Sequence, residues 1–369
     1  MNLPQATFTP ASVPPEAAKA PDQVLVIGAT GHMGRVFLEQ GLELFDGTEF
    51  RVLLRNPAKA KDMPPGVVSC KGDVCDLESI RAACDGFTED SLIFDSVTQI
   101  DLSPTDEDGS IAAINLQGVL NVIQVAKEFG LTLHKAHSNA GVPCPKEGVI
   151  TERTQAGDSE EEVIYASLPY LKAKKDATKA LLDAQAEGVR AMFTYLPSPM
   201  GPASRADAIF NGLVESFVKT GRFFHPEGID MAYVDARDAA KVHWVAFMRA
   251  VYDDFILSNN ATREDIMGSF EQTTGISLKS WPLKQKTIVR IGKLMDFLKK
   301  WLFRSTEFPL SEATAHLMFA NGNYSSDKAR EKLGFAPRPV RDTYNDHLQD
   351  LINRKVVDVA AETRPVSIW

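Results

Sequence analysis

The chain has 369 residues, 44% of them apolar, and a formal net charge of -9. That supplies core material for one large α/β domain with a smaller satellite, and the acidic balance argues against a nucleic-acid partner, which would need clustered Lys and Arg. Its four cysteines, Cys70, Cys75, Cys84 and Cys144, form no C-x-x-C pair and no metal-ligand spacing. They are expected to be reduced structural thiols of a cytoplasmic protein without a metal site.

Residues 1–21 are rich in Pro and Ala, with no basic start before a long apolar run. They are expected to form a flexible leader and not a secretory signal. No run of 18 uncharged apolar residues predicts a bilayer span.

Strand-like runs then follow at Gln23 to Ile27, Phe50 to Leu54, Val67 to Lys71, Leu92 to Phe94, Leu131 to Ala136 and Ala191 to Leu196. Helix-like runs lie between them, at about 32–44, 77–85, 111–129 (stopped by Gly130) and 170–187. Near-continuous apolar strands alternating with helices predict a doubly wound parallel sheet of Rossmann type over 22–198. Beyond it, helices are predicted at 205–220, 237–251, 261–275, 286–303, 311–320, 325–333 and 340–354. Short strands are predicted near 230–234 and 254–257. Residues 199–355 therefore read as a mostly helical substrate lobe that can lend strands to the sheet, and 356–369 as a tail.

The first strand runs straight into a turn, "VLVIGATGHMGR", with glycines at 28, 31 and 34. A strand, a glycine turn and a helix in this order suit a dinucleotide. Gly28 permits the tight turn, Gly31 lets the backbone approach a pyrophosphate, and Gly34 lets the helix pack on the sheet. The helix N-terminus offers unpaired N–H groups to the phosphates. The second strand ends at Arg55, where an NAD site usually carries an acid. A guanidinium there can grip a 2′-phosphate with two hydrogen bonds, so NADP (NADPH) is expected, with NAD as the alternative.

"YLKAK" at 170–174 puts Tyr170 and Lys174 on one helical face. A phenol beside an ammonium suits proton transfer to or from an alcohol, because the positive charge lowers the phenol's pKa. His137 reads either as a second acid or as a structural histidine. The stretch 286–303 is amphipathic, with Ile288, Ile291, Met295, Leu298 and Leu302 on one stripe and cations at Lys286, Arg290, Lys293, Lys299 and Lys300. It is expected to be a packing or lid helix over an apolar pocket, with contact to a membrane surface as the alternative.

The pattern "GATGHMG" resembles the extended branch of the short-chain dehydrogenase/reductase superfamily, the epimerase/dehydratase-like group. Further segments carry the resemblance over about residues 22–350. They are Gly72-Asp73-Val74, Asn115 with "NLQGVLNVIQ", Tyr170 with Lys174, "LPSPMGP", "YVDARDAAKVH" and "KAREKLGFAPRP". The last of these leans toward the dihydroflavonol-reductase/hydroxysteroid-dehydrogenase group. The resemblance implies that Tyr170 is the acid/base, that Lys174 is its partner and also contacts the nicotinamide ribose, and that Asn115 fixes the active-site geometry. The family's serine or threonine slot falls on Asn139 when aligned by the following small residue, or on Ser138 with a shift of one, and both are candidates. Gly118 is expected to allow close helix packing. Cofactor contacts are implied at Gly28, Thr30, Gly31, His32, Met33, Gly34, Arg55, Asp73, Val74, Val97, Lys174, Pro197 and Ser198. A homodimer through the 111–129 and 170–187 helices is implied as well.

The expected function is an NADP-dependent oxidoreductase, a ketoreductase in type. It would move a hydride between the nicotinamide and a carbonyl or secondary alcohol of an apolar small molecule. An NAD-dependent epimerase or dehydratase is the alternative within the same superfamily, and a non-catalytic NADP-sensing regulator the alternative outside enzymes.

Overall fold

The computed structural model describes residues 19–359 and 366, apart from 104, 146, 156–167, 205–208, 302–310 and 321. Most of the expected leader and tail lie outside the described residues. So do the start of the predicted helix 205–220, Leu302, and the side chains of Lys299 and Lys300.

In chain order the first half contains β1 (Gln23–Ile27), α1 (His32–Leu44), β2 (Glu49–Leu54), β3 (Val68–Lys71), α2 (Leu77–Ala83) and β4 (Leu92–Asp95). It continues with α3 (Gly118–Phe129), β5 (Thr132–Ser138), α4 (Pro169–Ala186) and β6 (Ala191–Leu196). The second half contains β7 (Ser198–Met200), α5 (Ile209–Thr220), β8 (Arg222–Pro226), β9 (Met231–Asp235), α6 (Ala236–Met248), β10 (Asp254–Ile256) and β11 (Asn259–Ala261). After these come α7 (Arg263–Thr274), β12 (Lys279–Leu283), α8 (Gln285–Trp301), α9 (Glu312–Leu317), α10 (Asp327–Leu333) and α11 (Val340–Asn353).

Seven strands form a parallel sheet in the order β10-β6-β5-β4-β1-β2-β3. Its first six strands have the order of a doubly wound dinucleotide-binding sheet, reversing direction between β1 and β4. Both faces are covered, so alternate residues of one strand enter different cores. Val24 and Val26 pack under α1 and α6, while Leu25 and Ile27 pack under α2, α3 and α4. On the first face Trp244 of α6 stacks on Phe37 of α1 at 3.9 Å between ring centroids, and Phe37 stacks on Phe94 at 3.7 Å. A Cβ at Gly41 would lie 2.5 Å from the Trp244 ring, so α1 fits there only with glycine. Truncating a buried aromatic of this kind typically costs about 3–5 kcal/mol. The contact thereby anchors the helix that starts at the glycine turn.

β5 breaks the apolar pattern. Thr132, His134, Lys135 and His137 are all buried in it. An ionic clasp fixes the far edge of the sheet: Arg153 and Lys328 both bind Asp254 of β10, at 2.7–2.9 Å.

Each of the seven helices predicted for the second half is present among the described residues, and the second half holds more strands than its pattern suggests. Besides the strand at 231–235 it holds β7, β8, β11 and β12, which form a three-stranded and a two-stranded sheet. These strands have three to five residues, and β7, β8 and β12 each contain a proline. They are too short for a period-two signal, and proline weighs against strand. "YVDARD" turns out to be a structural latch. Asp235 caps α6, Arg237 is buried against Asp235 and Asp346 of α11, and Arg338 pairs with Asp238.

The amphipathic stretch is helical as α8, and Gly292 lets its backbone meet Ser311 ahead of α9. The stripe splits there. Ile288 is buried, but Ile291 is exposed beside Leu294. No helix among the described residues is long and apolar enough to cross a membrane.

Candidate functional site

The glycine turn lies at the C-terminal edge of the sheet, where β1 and β4 part. Gly28 has φ +92°, and a Cβ on it would meet Ser96 Oγ, beyond β4, at 2.7 Å. A Cβ on Gly34 would sit 2.3 Å from the Gly28 carbonyl oxygen, so any side chain there pushes α1 off the turn. Gly31 differs. Among the described residues a Cβ there would meet just Gly28 O, at 3.2 Å, which leaves one side of the backbone open. The N–H groups of His32, Met33 and Gly34 are in the first turn of α1 and have no acceptor within the helix. An open glycine backbone below free N–H groups is a cradle for a pyrophosphate, so a dinucleotide fits these residues.

The other expected cofactor positions ring this turn. Thr30 is exposed, Met33 sends its side chain into the core, and the His32 ring bonds Pro202 O at 2.7 Å. At His32 and Met33 the backbone is thus the part left to meet a ligand. Arg55 is exposed just past β2 and has no ion pair or hydrogen bond among the described residues. Asp73 accepts from Cys75 N through one oxygen, at 2.9 Å. Val74 is buried against Gly118 and has its carbonyl held by Asn121. Pro197 is buried and Ser198 exposed where β6 gives way to β7.

The loop after β4 is fastened on both sides. Below it, Lys135 Nζ donates to Asp95 Oδ2 at 2.7 Å and to Val97 O at 2.8 Å, and Asp95 accepts from Val97 N. Across it, Asn115 donates to Gln99 O at 2.9 Å and accepts from Gln99 N at 3.2 Å. Asn115 lies in a π-turn, Ala113–Gln117, that precedes α3. Such turns are frequent at functional sites because the extra residue re-aims a side chain. This buried Lys135–Asp95 pair is absent from the sequence expectations. A Lys and an Asp 40 residues apart give no signal until the strands are aligned.

Lys174 is fully buried, and its Nζ donates to Thr98 Oγ1 of the same loop at 2.9 Å. Burial holds it well below the usual lysine range, and the Lys135 ammonium pushes the same way. The Tyr170 ring lies 5.7 Å from Lys174 Nζ. Burial pushes the Tyr170 phenol up to about 12, and the nearby Ser138 hydroxyl acts against that rise. Desolvation is the largest cause for both groups, and Lys174 donates to Thr98.

Of the two candidates for the serine slot, Ser138 acts on the Tyr170 phenol, lowering its pKa. The Asn139 amide points instead to Tyr324, donating to its hydroxyl at 2.9 Å. His137 bonds the Lys174 carbonyl at 3.0 Å and Thr178 at 3.1 Å, and burial keeps it neutral, so it ties α4 to β5 and is no second acid. Apolar residues surround Tyr170: Ile111, Leu168 and Leu171, with Leu102, Ala140 and Ala313 beside them. Among the described residues no group of His, Cys, Asp or Glu is arranged to hold a metal.

Solved structures share this architecture. The protein gox2253 aligns over 91% of this chain and 100% of its own at 21% identity, with a TM-score of 0.74. The UDP-glucose 4-epimerase of Thermotoga maritima, solved with UDP-glucose, aligns over 90% and 99% at 14% identity and TM-score 0.68. The enzyme WbmG of Bordetella bronchiseptica, solved with NAD and UDP, aligns over 95% and 100% at 16% identity and TM-score 0.68. No curated protein sequence matches the chain. The model of the "NAD dependent epimerase/dehydratase family" matches residues 24–255, the stretch that holds the glycine turn, the Tyr170–Lys174 helix and all seven strands but the first residue of β1 and the last of β10. The chain therefore belongs to that family and is an NAD(P)-dependent enzyme.

Proposed function

We propose that the enzyme is an NADP-dependent reductase of an apolar carbonyl compound. The observation that carries this reading is the state of Tyr170: a phenol held neutral by burial, with the Ser138 hydroxyl close by and apolar side chains around it. Reduction needs a proton donor at the carbonyl oxygen, and a phenol with a raised pKa keeps its proton until an alkoxide forms. Ser138 orients that oxygen. Tyr170 gives its proton to it as the carbon accepts a hydride, and the product is the secondary alcohol. Lys174 on Thr98, with Asn115 on Gln99, keeps the loop after β4 in place beside the phenol. When bound, the reduced nicotinamide supplies the hydride. Arg55, exposed and unpaired among the described residues, stands ready for the 2′-phosphate that distinguishes NADPH.

Family membership fits an epimerase or dehydratase equally well, and one experiment separates the readings. The purified enzyme is given NADPH or NADH with a panel of aryl and alkyl ketones and aldehydes, and absorbance at 340 nm is followed. Carbonyl-dependent loss of NADPH is expected, with NADH poorer. Arg55→Glu should weaken NADPH by about 10- to 100-fold, one or two charge-assisted contacts, and spare NADH. A cofactor that stays bound through gel filtration with no net consumption would instead select the epimerase or dehydratase.

A further inference from the structure

Residues 279–298 hold five Lys or Arg and one acid, in a chain whose net charge is -9. At helical spacing Lys286, Arg290 and Leu294 of α8 follow one another along one line, each of them exposed. Ile291 and Lys293 are exposed on either side of that line. Leu294 has 51% of its surface in water, and Lys286 and Arg290 have no ion pair or hydrogen bond among the described residues.

The opposite side of α8 holds it to the lobe. Ile288 is buried there, Gly292 lies against the Ser311 backbone, and Asp296, the one acid, accepts from Glu312 N at 2.8 Å. Lys293 also reaches Glu312, at 3.1 Å. The acid is thus spent inward, while cations and apolar side chains are left outward together. Just before the helix, Trp281 of β12 is 47% exposed, with the Arg222 guanidinium 4.6 Å from its ring centroid. A tryptophan beside an arginine suits the boundary between water and lipid. An anionic lipid surface satisfies both kinds of group on α8: acyl chains take the apolar side chains, and headgroups take the ammonium and guanidinium.

We propose that α8 docks on the surface of an anionic phospholipid bilayer, with Ile291 and Leu294 among the acyl chains and Lys286 and Arg290 at the headgroups. The helix is joined to the candidate site. It meets Ser311, the cap of α9, and α9 brings Ala313 to the apolar cluster around Tyr170. Docked in this way, the enzyme takes an apolar carbonyl compound that is dissolved in the bilayer. That consequence rests on the reductase reading; the docking itself is measurable without a substrate.

The test floats the full chain through density gradients with vesicles of phosphatidylcholine, alone or with phosphatidylserine as the minor lipid. Flotation with the phosphatidylserine vesicles is expected at low salt, with little on phosphatidylcholine alone and a marked loss at molar salt. Replacing Lys286 and Arg290 together by Ala should weaken partitioning about 10- to 30-fold, at about fivefold for each cation near an anionic surface. Leu294→Glu should weaken it by about 10-fold or more, through the loss of one leucine side chain from the acyl boundary. All three positions are exposed, so urea midpoints should match the wild type. No flotation with phosphatidylserine vesicles overturns the inference, as does equal flotation of the wild type and both variants. So does a lipid-free dimer that Leu294→Glu breaks, because the face would then belong to a second copy of the chain. Each of these results leaves the reductase reading standing. That reading falls separately, if Tyr170→Phe keeps full NADPH-dependent turnover.

Discussion

Tyr170→Phe is expected to lower kcat for carbonyl reduction by about 10²- to 10⁴-fold, the usual worth of a positioned acid. The binding of NADPH should be nearly unchanged. The ring is 5% exposed and packs with Ile111, Leu168 and Leu171, all contacts that phenylalanine keeps. Only the hydroxyl is lost. Steady-state kinetics with a dinucleotide titration checks this. Equal falls in kcat and kcat/KM would mark an interaction made in the transition state, whereas a rise in KM alone would mark a binding role.

Acidification from pH 7 to pH 5 is expected to destabilise the fold by several kcal/mol. His134, His137, His243 and His347 are enclosed, and burial lowers the pKa of each. His134 is pushed down to about 3 and His347 to about 4. A histidine whose folded pKa lies below its unfolded value of about 6.5 contributes its full stability above 6.5 and loses it as the pH falls toward the folded pKa. The window for these two thus runs from about 6.5 down to 3 or 4. At pH 5 each costs about 2 kcal/mol, a large share of a typical domain's 5–15 kcal/mol. The other two act in the same direction. Urea midpoints at pH 7, 6 and 5 measure the loss. Both ring nitrogens of His134 lack a hydrogen-bond partner among the described residues, so His134→Leu removes a titrating group without orphaning another. It should flatten the pH dependence by about one proton. An unchanged slope would place the acid sensitivity elsewhere.

The sheet was legible because its strands obey one rule: buried on both faces, they show as apolar runs between helix periods. Gln23 to Ile27 and Ala191 to Leu196 match β1 and β6 residue for residue. The glycine turn was legible for the same local reason, since three glycines between a strand and a helix state a backbone requirement. The Tyr170–Lys174 pair showed as a helical spacing, although its electrostatics did not. The pKa of Tyr170 depends on enclosure and on Ser138, and neither can be read from a spacing of four. What the sequence hid is what the fold brings together from afar. Lys135 meets Asp95 only when β5 lies beside β4, Thr98 takes the Lys174 ammonium only once the loop is placed, and Tyr324 meets Asn139 across half the chain. Strands such as β8 and β12, with prolines at 226 and 282, exist through their pairing with each other and carry no local signal.

The most direct test of the account is a crystal structure of the enzyme soaked with NADP. The account expects the pyrophosphate over Gly31 and the first turn of α1, the 2′-phosphate against Arg55, and the reactive carbon of the nicotinamide facing the hydroxyl of Tyr170. A ring at position 170 turned away from that carbon, or a dinucleotide held anywhere but over the glycine turn, would contradict it.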